Sequence, residues 1–385
     1  MPAPRKKIPG PPPAPESKEP RGILSTWMRL AFREAETVRG NTLPNPAVGA
    51  VLVRNGKVIG RGGTRPAGQA HAEIVALEGA RVAPNGGLDR IRGATLYVTL
   101  EPCSHFGRTA PCARALIEAG VAKVVAACPD PNPKVSGKGF AMLRRAGITV
   151  EIAPPGSPAR VRAETFYAGF FFWVANGRPR IIVKIAQSLD GRINARAGEE
   201  TALTGEEARL FTHGLRAHAD AVLVGGATVR IDDPDLTPRL TGGRPAQILV
   251  LTRGRKLDLK RQVYSRNRGA KTVVISPEIP QNLPKWVDHV ALRRKKPLVR
   301  ELLAVFAARG YHEVLVEGGR AVWSPFLNAG LCDALHLVTA PMLLPQGEPW
   351  GKDLRPAWVK PLEFHRFTPL GSDILAEFRR RSAAS

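Results

Sequence analysis

Long apolar runs are missing from this chain. The longest candidate, FYAGFFFWVA at 166–175, falls short of the ~18 apolar residues that a membrane span needs and reads as core. Aromatic residues make up only 6%, and no basic stripe interleaved with them appears, which counts against a nucleic-acid surface despite a net charge of +24. A basic cleft also concentrates anionic lipid or small anionic substrates, so the charge alone does not choose among these. The dinucleotide fingerprint G-x-G-x-x-G is absent, and a Rossmann site is therefore not supported. Residues 1–23, MPAPRKKIPGPPPAPESKEPRGI, hold too few apolar side chains for a core and read as a disordered basic, proline-rich tail. With no continuous apolar stretch after RKK, the tail is not a secretory signal.

Cysteine is scarce too, at four in 385 residues, yet two of the four stand in the densest stretch of chemistry. HAEIVALEGA opens at His71 and TLEPCSHFGRTAPCARALIEAG closes around Cys103 and Cys112. His71, Cys103 and Cys112 are three soft ligands, a set that leaves the fourth position of a tetrahedral Zn²⁺ open, as in catalytic rather than structural sites. Iron is a second metal such ligands accept. A bound Zn²⁺ lowers the pKa of its water to about 7, and hydrolytic deamination then needs a carboxylate to move protons. Glu73, two residues after His71, fits the glutamate of H-x-E, which is not a ligand. Both ligand groups fall at predicted helix starts, where the dipole favours thiolate. Nucleic-acid deaminases carry P-C-x-x-C, whereas SHFGRTAP separates the two cysteines here. Cys128 and Cys332 remain as free thiols, which suits a reducing compartment.

A length of 385 residues with 43% apolar composition predicts two or three domains. A helix over 25–37 leads to strands AVGAVLV and KVIGRGGT, joined by a hairpin turn at Arg54-Asn55-Gly56. Helix 71–81, strand 95–100, helix 111–119, strand 123–128, helix 137–146 and strand 148–153 follow, an alternation that implies a layered α/β sheet with the ligands at strand-to-helix junctions. PPGSPAR at 154–160 breaks the composition, and a linker helix within 156–178 separates a deaminase domain, 24–155, from a second domain, 179–385. In the second, strands are predicted near 180–187, 221–226, 246–252, 271–276, 313–318 and 334–340, with helices near 205–218, 297–309 and 320–329 and a closing antiparallel pair.

PNPAVGAVLV, HAE, EPCSHFGRTAPC and DPNPKVSGKG, in that order, resemble the deaminase half of the bifunctional riboflavin-biosynthesis enzyme, diaminohydroxyphosphoribosylaminopyrimidine deaminase fused to 5-amino-6-(5-phosphoribosylamino)uracil reductase. VKIAQSLDGR, LTGEEAR, LRAHADAVLVGGATVRIDDPDLT and VLVEGGR resemble its reductase half. The resemblance implies an α/β protein with a cytidine-deaminase-like three-layer domain followed by a domain similar to dihydrofolate reductase, with zinc and NADPH as cofactors. It implies deaminase substrate contacts at Asn45, His105, Arg108 and Asn132. For the reductase it implies NADPH contacts at Ala186, Thr228, Asp232 and Gly319, and substrate contacts at Glu200, Arg216, Leu236, Arg239 and Glu317. Read from the residues alone, Asn45, Asn132 and the Asp232-Asp233-Pro234 step are equally turn formers beside proline, and Gly318-Gly319 is either a tight turn or a bare-amide cradle for a pyrophosphate. Arg216 and Arg239 suit a phosphate, because guanidinium pairs bidentately with phosphoryl oxygens. Lys184 falls in the same cleft.

One departure stands out. Where the family reads G-E-S-x-W-I-T, this chain has Gly198-Glu199-Glu200-Thr201-Ala202-Leu203-Thr204. A carboxylate replaces a substrate-side serine, and an indole that packs on the cofactor is lost. The expectation is a two-step enzyme acting on a phosphorylated pyrimidine, cytoplasmic, binding neither nucleic acid nor membrane, and assembled as a homodimer or homotetramer. The alternatives are a monofunctional deaminase with a non-catalytic second domain and a tRNA deaminase with an appended binding domain.

Overall fold

The computed structural model describes residues 25–83, 87–104, 111–133, 135–242, 244–254, 256–265, 272–293, 297–355 and 362–380. The tail expected at 1–23 lies outside them. The chain through Ala175 forms one compact unit and the chain from Asn176 a second.

The first unit opens with α1 (Thr26–Val38), whose Ser25 Oγ accepts from the Met28 amide at 3.1 Å and so caps the helix. Met28, Ala31, Phe32 and Ala35 form its buried stripe at helical spacing. The hairpin β1 (Gly49–Arg54) and β2 (Lys57–Gly63) turns at Asn55 and Gly56, both with positive φ (50° and 69°), the backbone that an Asn-Gly pair permits. Then come α2 (Ala72–Val82), a short α3 (Leu88–Ile91), β3 (Thr95–Val98), α4 (Cys112–Glu118), β4 (Lys123–Ala126), α5 (Lys138–Arg145) and β5 (Thr149–Ile152). The sheet runs β2-β1-β3-β4-β5, with β1 antiparallel to both neighbours and β3, β4 and β5 parallel.

Strand periodicity sorts the side chains into two cores. Ala50, Leu52, Leu96 and Val98 pack against α2, α4 and α5 on one face. Val51, Val53 and Tyr97 point to the other face and meet α1. The three-layer arrangement follows from that alternation.

Instead of a single linker helix there are two, α6 (Pro158–Phe166) and α7 (Ala168–Asn176), with Tyr167 between them. Ala163, Phe166, Tyr167 and Phe170 join the α1 core, because a segment this apolar has to be buried. The Tyr167 hydroxyl is held in a buried relay. Gly49 N–H donates to Thr99 Oγ1 (3.0 Å), Thr99 and Tyr167 share a 2.6 Å hydrogen bond, and Tyr167 donates to the Ala47 carbonyl (3.0 Å).

The second unit contains β6 (Arg180–Ser188), α8 (Glu206–His218), β7 (Ala221–Gly225), α9 (Gly226–Asp232), β8 (Gln247–Leu251), α10 (Gln262–Ser265), β9 (Val273–Ser276), β10 (Asp288–Ala291), α11 (Leu298–Ala308), β11 (Glu313–Val316), α12 (Arg320–Asn328), β12 (Ala334–Ala340), β13 (Leu362–Leu370) and β14 (Asp373–Arg380). The sheet order is β10-β9-β8-β7-β11-β6-β12-β14-β13, parallel from β10 to β12 and antiparallel for the closing pair. Every residue of β7, β9 and β11 is buried, which is why those strands read as apolar runs, broken only by Ser276 and Glu313 at their ends, in a sheet covered on both faces. The sequence pattern did not announce α9 or β10. α9 buries only Val229, and no residue of β10 is fully buried, so neither carries a periodic signal.

Candidate active sites

The ligand set converges in the first unit. His71 is the N-cap residue of α2 and Cys112 the first residue of α4. His71 Nδ1 lies 3.7 Å from Cys103 Sγ and 3.4 Å from Cys112 Sγ, and the three ligand atoms all fall within 4.8 Å of one another. Ligand atoms about 2.0–2.3 Å from a tetrahedral zinc stand roughly 3.3–3.8 Å apart, and both His71–thiol separations fall in that range. The Cys112 amide donates to Cys103 Sγ at 3.3 Å, as the free N–H of a helix start does to a thiolate. The Cys112 thiol beside it holds Cys103 down to about 4, while the same contact and burial drive Cys112 up.

Glu73 is the second residue of α2, within its first turn, and is only 3% exposed. Burial pushes its carboxyl up to about 7, with the neighbouring Cys103 charge adding to the rise. Asn45 is half-buried in the turn before β1, where its amide donates to Thr42 O at 2.9 Å and its own carbonyl accepts from the Thr42 hydroxyl at 2.8 Å. Asn132 is half-buried in the loop before α5; its amide donates to Asp130 Oδ1 at 2.8 Å. His105 and Arg108 lie outside the described residues. Cys128 and Cys332 are free and buried, and burial pushes the Cys128 thiol up to about 12.

In the second unit, Thr228 and the glycine pair come together. Gly319, the N-cap of α12, donates its amide to Thr228 Oγ1 at 3.2 Å. Gly318 has φ +98°, and a Cβ there would stand 3.1 Å from Thr228 Oγ1 and 3.3 Å from Gly225 N, so the backbone conformation and the crowding both call for glycine. Ala186 lies on β6 opposite Val338. Asp232 ends α9, and partial burial followed by the Glu200 carboxylate pushes it up to about 6. Glu200 and Ala202 are exposed. Asp233 is a structural turn residue, with φ +40° and a carboxylate that accepts from Gln262 N at 2.7 Å.

The two arginines assigned to a phosphate differ. Arg216, in the last turn of α8, donates Nε and Nη2 to the two Glu317 oxygens at 2.7 and 2.8 Å, so its fork is engaged by a carboxylate. Arg239 is 56% exposed and lies 3.4 Å from Asp235, leaving it the more accessible of the two. Leu236 is 3% exposed within the core and has φ +62°, a strained backbone for a branched side chain. Burial would push Glu317 up, but Arg216 and then Lys184 hold it below its ordinary value. Lys184 on β6 is lowered by burial, with Glu317 opposing the shift. The sequence carried no signal for the Arg216–Glu317 pair, whose members are 101 residues apart.

A model of the cytidine and deoxycytidylate deaminase zinc-binding region matches residues 22–128, and a model of the RibD C-terminal domain matches residues 179–375. The riboflavin biosynthesis protein RibD of Aquifex aeolicus is 38% identical over 331 residues, covering 85% of this chain and 89% of that protein. RibD of Acinetobacter baumannii has a solved structure with a TM-score of 0.71 and 35% identity, covering 92% of this chain and 98% of that one. The deaminase/reductase of Thermotoga maritima, titled diaminohydroxyphosphoribosylaminopyrimidine deaminase/5-amino-6-(5-phosphoribosylamino)uracil reductase, gives a TM-score of 0.73 at 31% identity with the same coverage. With the His71–Cys103–Cys112 group assembled in the first unit and both matches in the same order, the chain belongs to the RibD family of riboflavin biosynthesis proteins, enzymes that join a zinc-dependent deaminase to an NADPH-dependent reductase.

Proposed function

We propose that the two sites act in succession on one phosphorylated pyrimidine. The first unit exchanges the exocyclic amine of 2,5-diamino-6-(5-phosphoribosylamino)pyrimidin-4-one for oxygen with release of ammonia, and the second reduces the ribosyl group of that product to ribityl. The observation that carries the reading is the cluster of His71, Cys103 and Cys112 with the buried Glu73 in the first turn of the helix that His71 caps. When bound there, zinc supplies a Lewis acid that makes water reactive near neutral pH. Glu73 takes a proton from the attacking water and delivers it toward the ring nitrogen and the departing ammonia, a shuttle favoured by a carboxyl poised near 7. Asn45 and Asn132 hold the ring and the phosphoribosyl portion, with His105 and Arg108 as further contacts.

In the second unit NADPH supplies the hydride when bound. The Gly318-Gly319 turn at the start of α12 receives its pyrophosphate, the Gly319 amide exchanging its bond to Thr228 Oγ1 for a phosphoryl oxygen, and Ala186 and Asp232 complete that side. Arg239, exposed beside Asp235, reaches the substrate phosphate. Arg216 orients Glu317, which with Lys184 faces the sugar. Glu200 and Leu236 border the same substrate, the latter through its strained backbone.

The enzyme is placed in the cytoplasm, consistent with its free thiols, and no described helix is long and apolar enough to cross a membrane. It assembles as a homodimer or homotetramer, a reading supported by the exposed Phe364 and Phe367 on the edge strand β13; sedimentation of the purified chain decides the state. Activity is tested by adding the diaminopyrimidine phosphate and then NADPH to zinc-loaded protein. Ammonia release followed by NADPH oxidation is the expected result. Ammonia release alone leaves a monofunctional deaminase, and neither signal removes the substrate assignment.

A further inference from the structure

Glu101 stands between β3 and Cys103, and its side chain is 4% exposed. A carboxylate this buried needs compensation, and here backbone amides supply it. Oε2 accepts from Asp130 N (3.2 Å) and Gly137 N (3.0 Å), and Oε1 accepts from Gly139 N (3.0 Å) and Phe140 N (3.3 Å). Two structural jobs are done at once. One oxygen closes the 130–137 loop at both ends. The other serves the first turn of α5, whose N-cap, Gly137 (φ +73°), has no side chain with which to accept those amides.

The contact is close along its whole length. A Cβ on Gly139 would lie 2.0 Å from the Pro102 carbonyl oxygen and 3.2 Å from Glu101 Oε1, so α5 is pressed directly onto the backbone that leads to Cys103. Inside the loop the hydrogen bonds continue to Asn132. Its amide donates to Asp130 Oδ1 at 2.8 Å, and its carbonyl accepts from Val135 N and Ser136 N, each at 2.8 Å. On the other side, two residues beyond Glu101, Cys103 is fixed to the start of α4 by the Cys112 and Ala113 amides. A single side chain therefore connects a metal ligand to the loop that carries Asn132.

We propose that Glu101 is a positioning residue of the deaminase, holding Asn132 at a fixed place relative to Cys103. This rests on the reading of Asn132 as a substrate contact. Gln in place of Glu keeps one carbonyl acceptor but turns an amide N–H₂ toward two backbone donors, either the loop ends at Asp130 and Gly137 or the first-turn amides Gly139 and Phe140, and should loosen that attachment while leaving β3 intact.

The test uses the full-length, zinc-loaded protein with Glu101→Gln, Asn132→Ala and the double variant, measured by ammonia release. Each single change is expected to raise KM about tenfold with kcat within about threefold, and the double variant should be no worse than the worse single, as for residues that act through one another. Zinc content should stay at the wild-type level, and amide exchange over 130–140 should accelerate in Glu101→Gln whether or not zinc is present. A fall in kcat with KM unmoved, multiplicative effects, or unchanged exchange would overturn the proposal. Should the Gln variant not fold, Gly137→Ala strains the same helix start with Glu101 intact. It must raise KM without adding to Asn132→Ala, and an unchanged KM refutes the role. If Asn132→Ala alone leaves KM unaltered, the Asn132 reading falls. Glu101 is then judged on the loop, where a raised KM in Glu101→Gln supports it and a flat KM overturns it.

Discussion

Removing Glu317 should damage the second unit more than removing its partner Arg216. Both side chains are nearly buried, at 10% and 13% exposure, and are joined by two hydrogen bonds of 2.7 and 2.8 Å. Breaking a buried pair by removing one partner costs about 3–5 kcal/mol, because a charge is left without compensation. Lys184 decides where in that range each variant falls. In Arg216→Met, Glu317 keeps Lys184 as a neighbouring cation, and a loss near the lower end, about 3 kcal/mol, is expected. In Glu317→Leu, both Arg216 and Lys184 lose the carboxylate, and the loss should approach about 5 kcal/mol. The double variant leaves only Lys184, which burial already inclines to shed its proton, so it should recover to within about 2 kcal/mol of the wild type. Denaturant unfolding of the full chain, resolving the transition of the second unit, measures all three. Glu317 is held below its ordinary value in the fold. Its contribution is therefore present above the usual carboxylate range and is lost as pH falls through the lowered value, so the gap between wild type and Glu317→Leu should narrow in acid. Equal losses for the two singles, or a double variant as unstable as their sum, would refute the reasoning.

Chelation of the metal should stop ammonia release while NADPH oxidation on the deaminated intermediate continues, measured on one preparation with both substrates. Glu73→Gln should lower deamination by about 10²–10⁴-fold, the usual scale for a lost general acid–base group, with zinc content retained by elemental analysis. Tyr167→Phe removes the middle of the Thr99–Tyr167–Ala47 relay; with two buried polar groups stranded, the first unit should lose about 2 kcal/mol in thermal or denaturant unfolding. Ala202→Trp should restore an aromatic contact to the nicotinamide cofactor and lower KM for NADPH by about two- to tenfold, while an unchanged KM would show that the exposed Ala202 position does not border the cofactor.

The chemistry of the first unit was legible because it is local. His71 and Glu73 are two residues apart at one helix start, and Cys103 and Cys112 each follow a proline, so residue type and spacing nearly specify the site before any folding is considered. The Asn55-Gly56 turn and the alternating strands are local for the same reason. Elements without a periodic apolar stripe, α9 and β10, were not legible, and the linker helix proved to be two helices packed into the first core. Whether His71 meets the thiols, whether Arg216 faces a phosphate or Glu317, and what satisfies Glu101 are all contacts between residues 29 or more positions apart. The sequence by itself determined which chemical groups this protein has and the order of those helices and strands that carry a periodic apolar stripe. Only the tertiary structure decided which charges are engaged by one another and which remain for substrate, because the partners of a buried polar side chain come from distant parts of the chain and no short-range pattern encodes them.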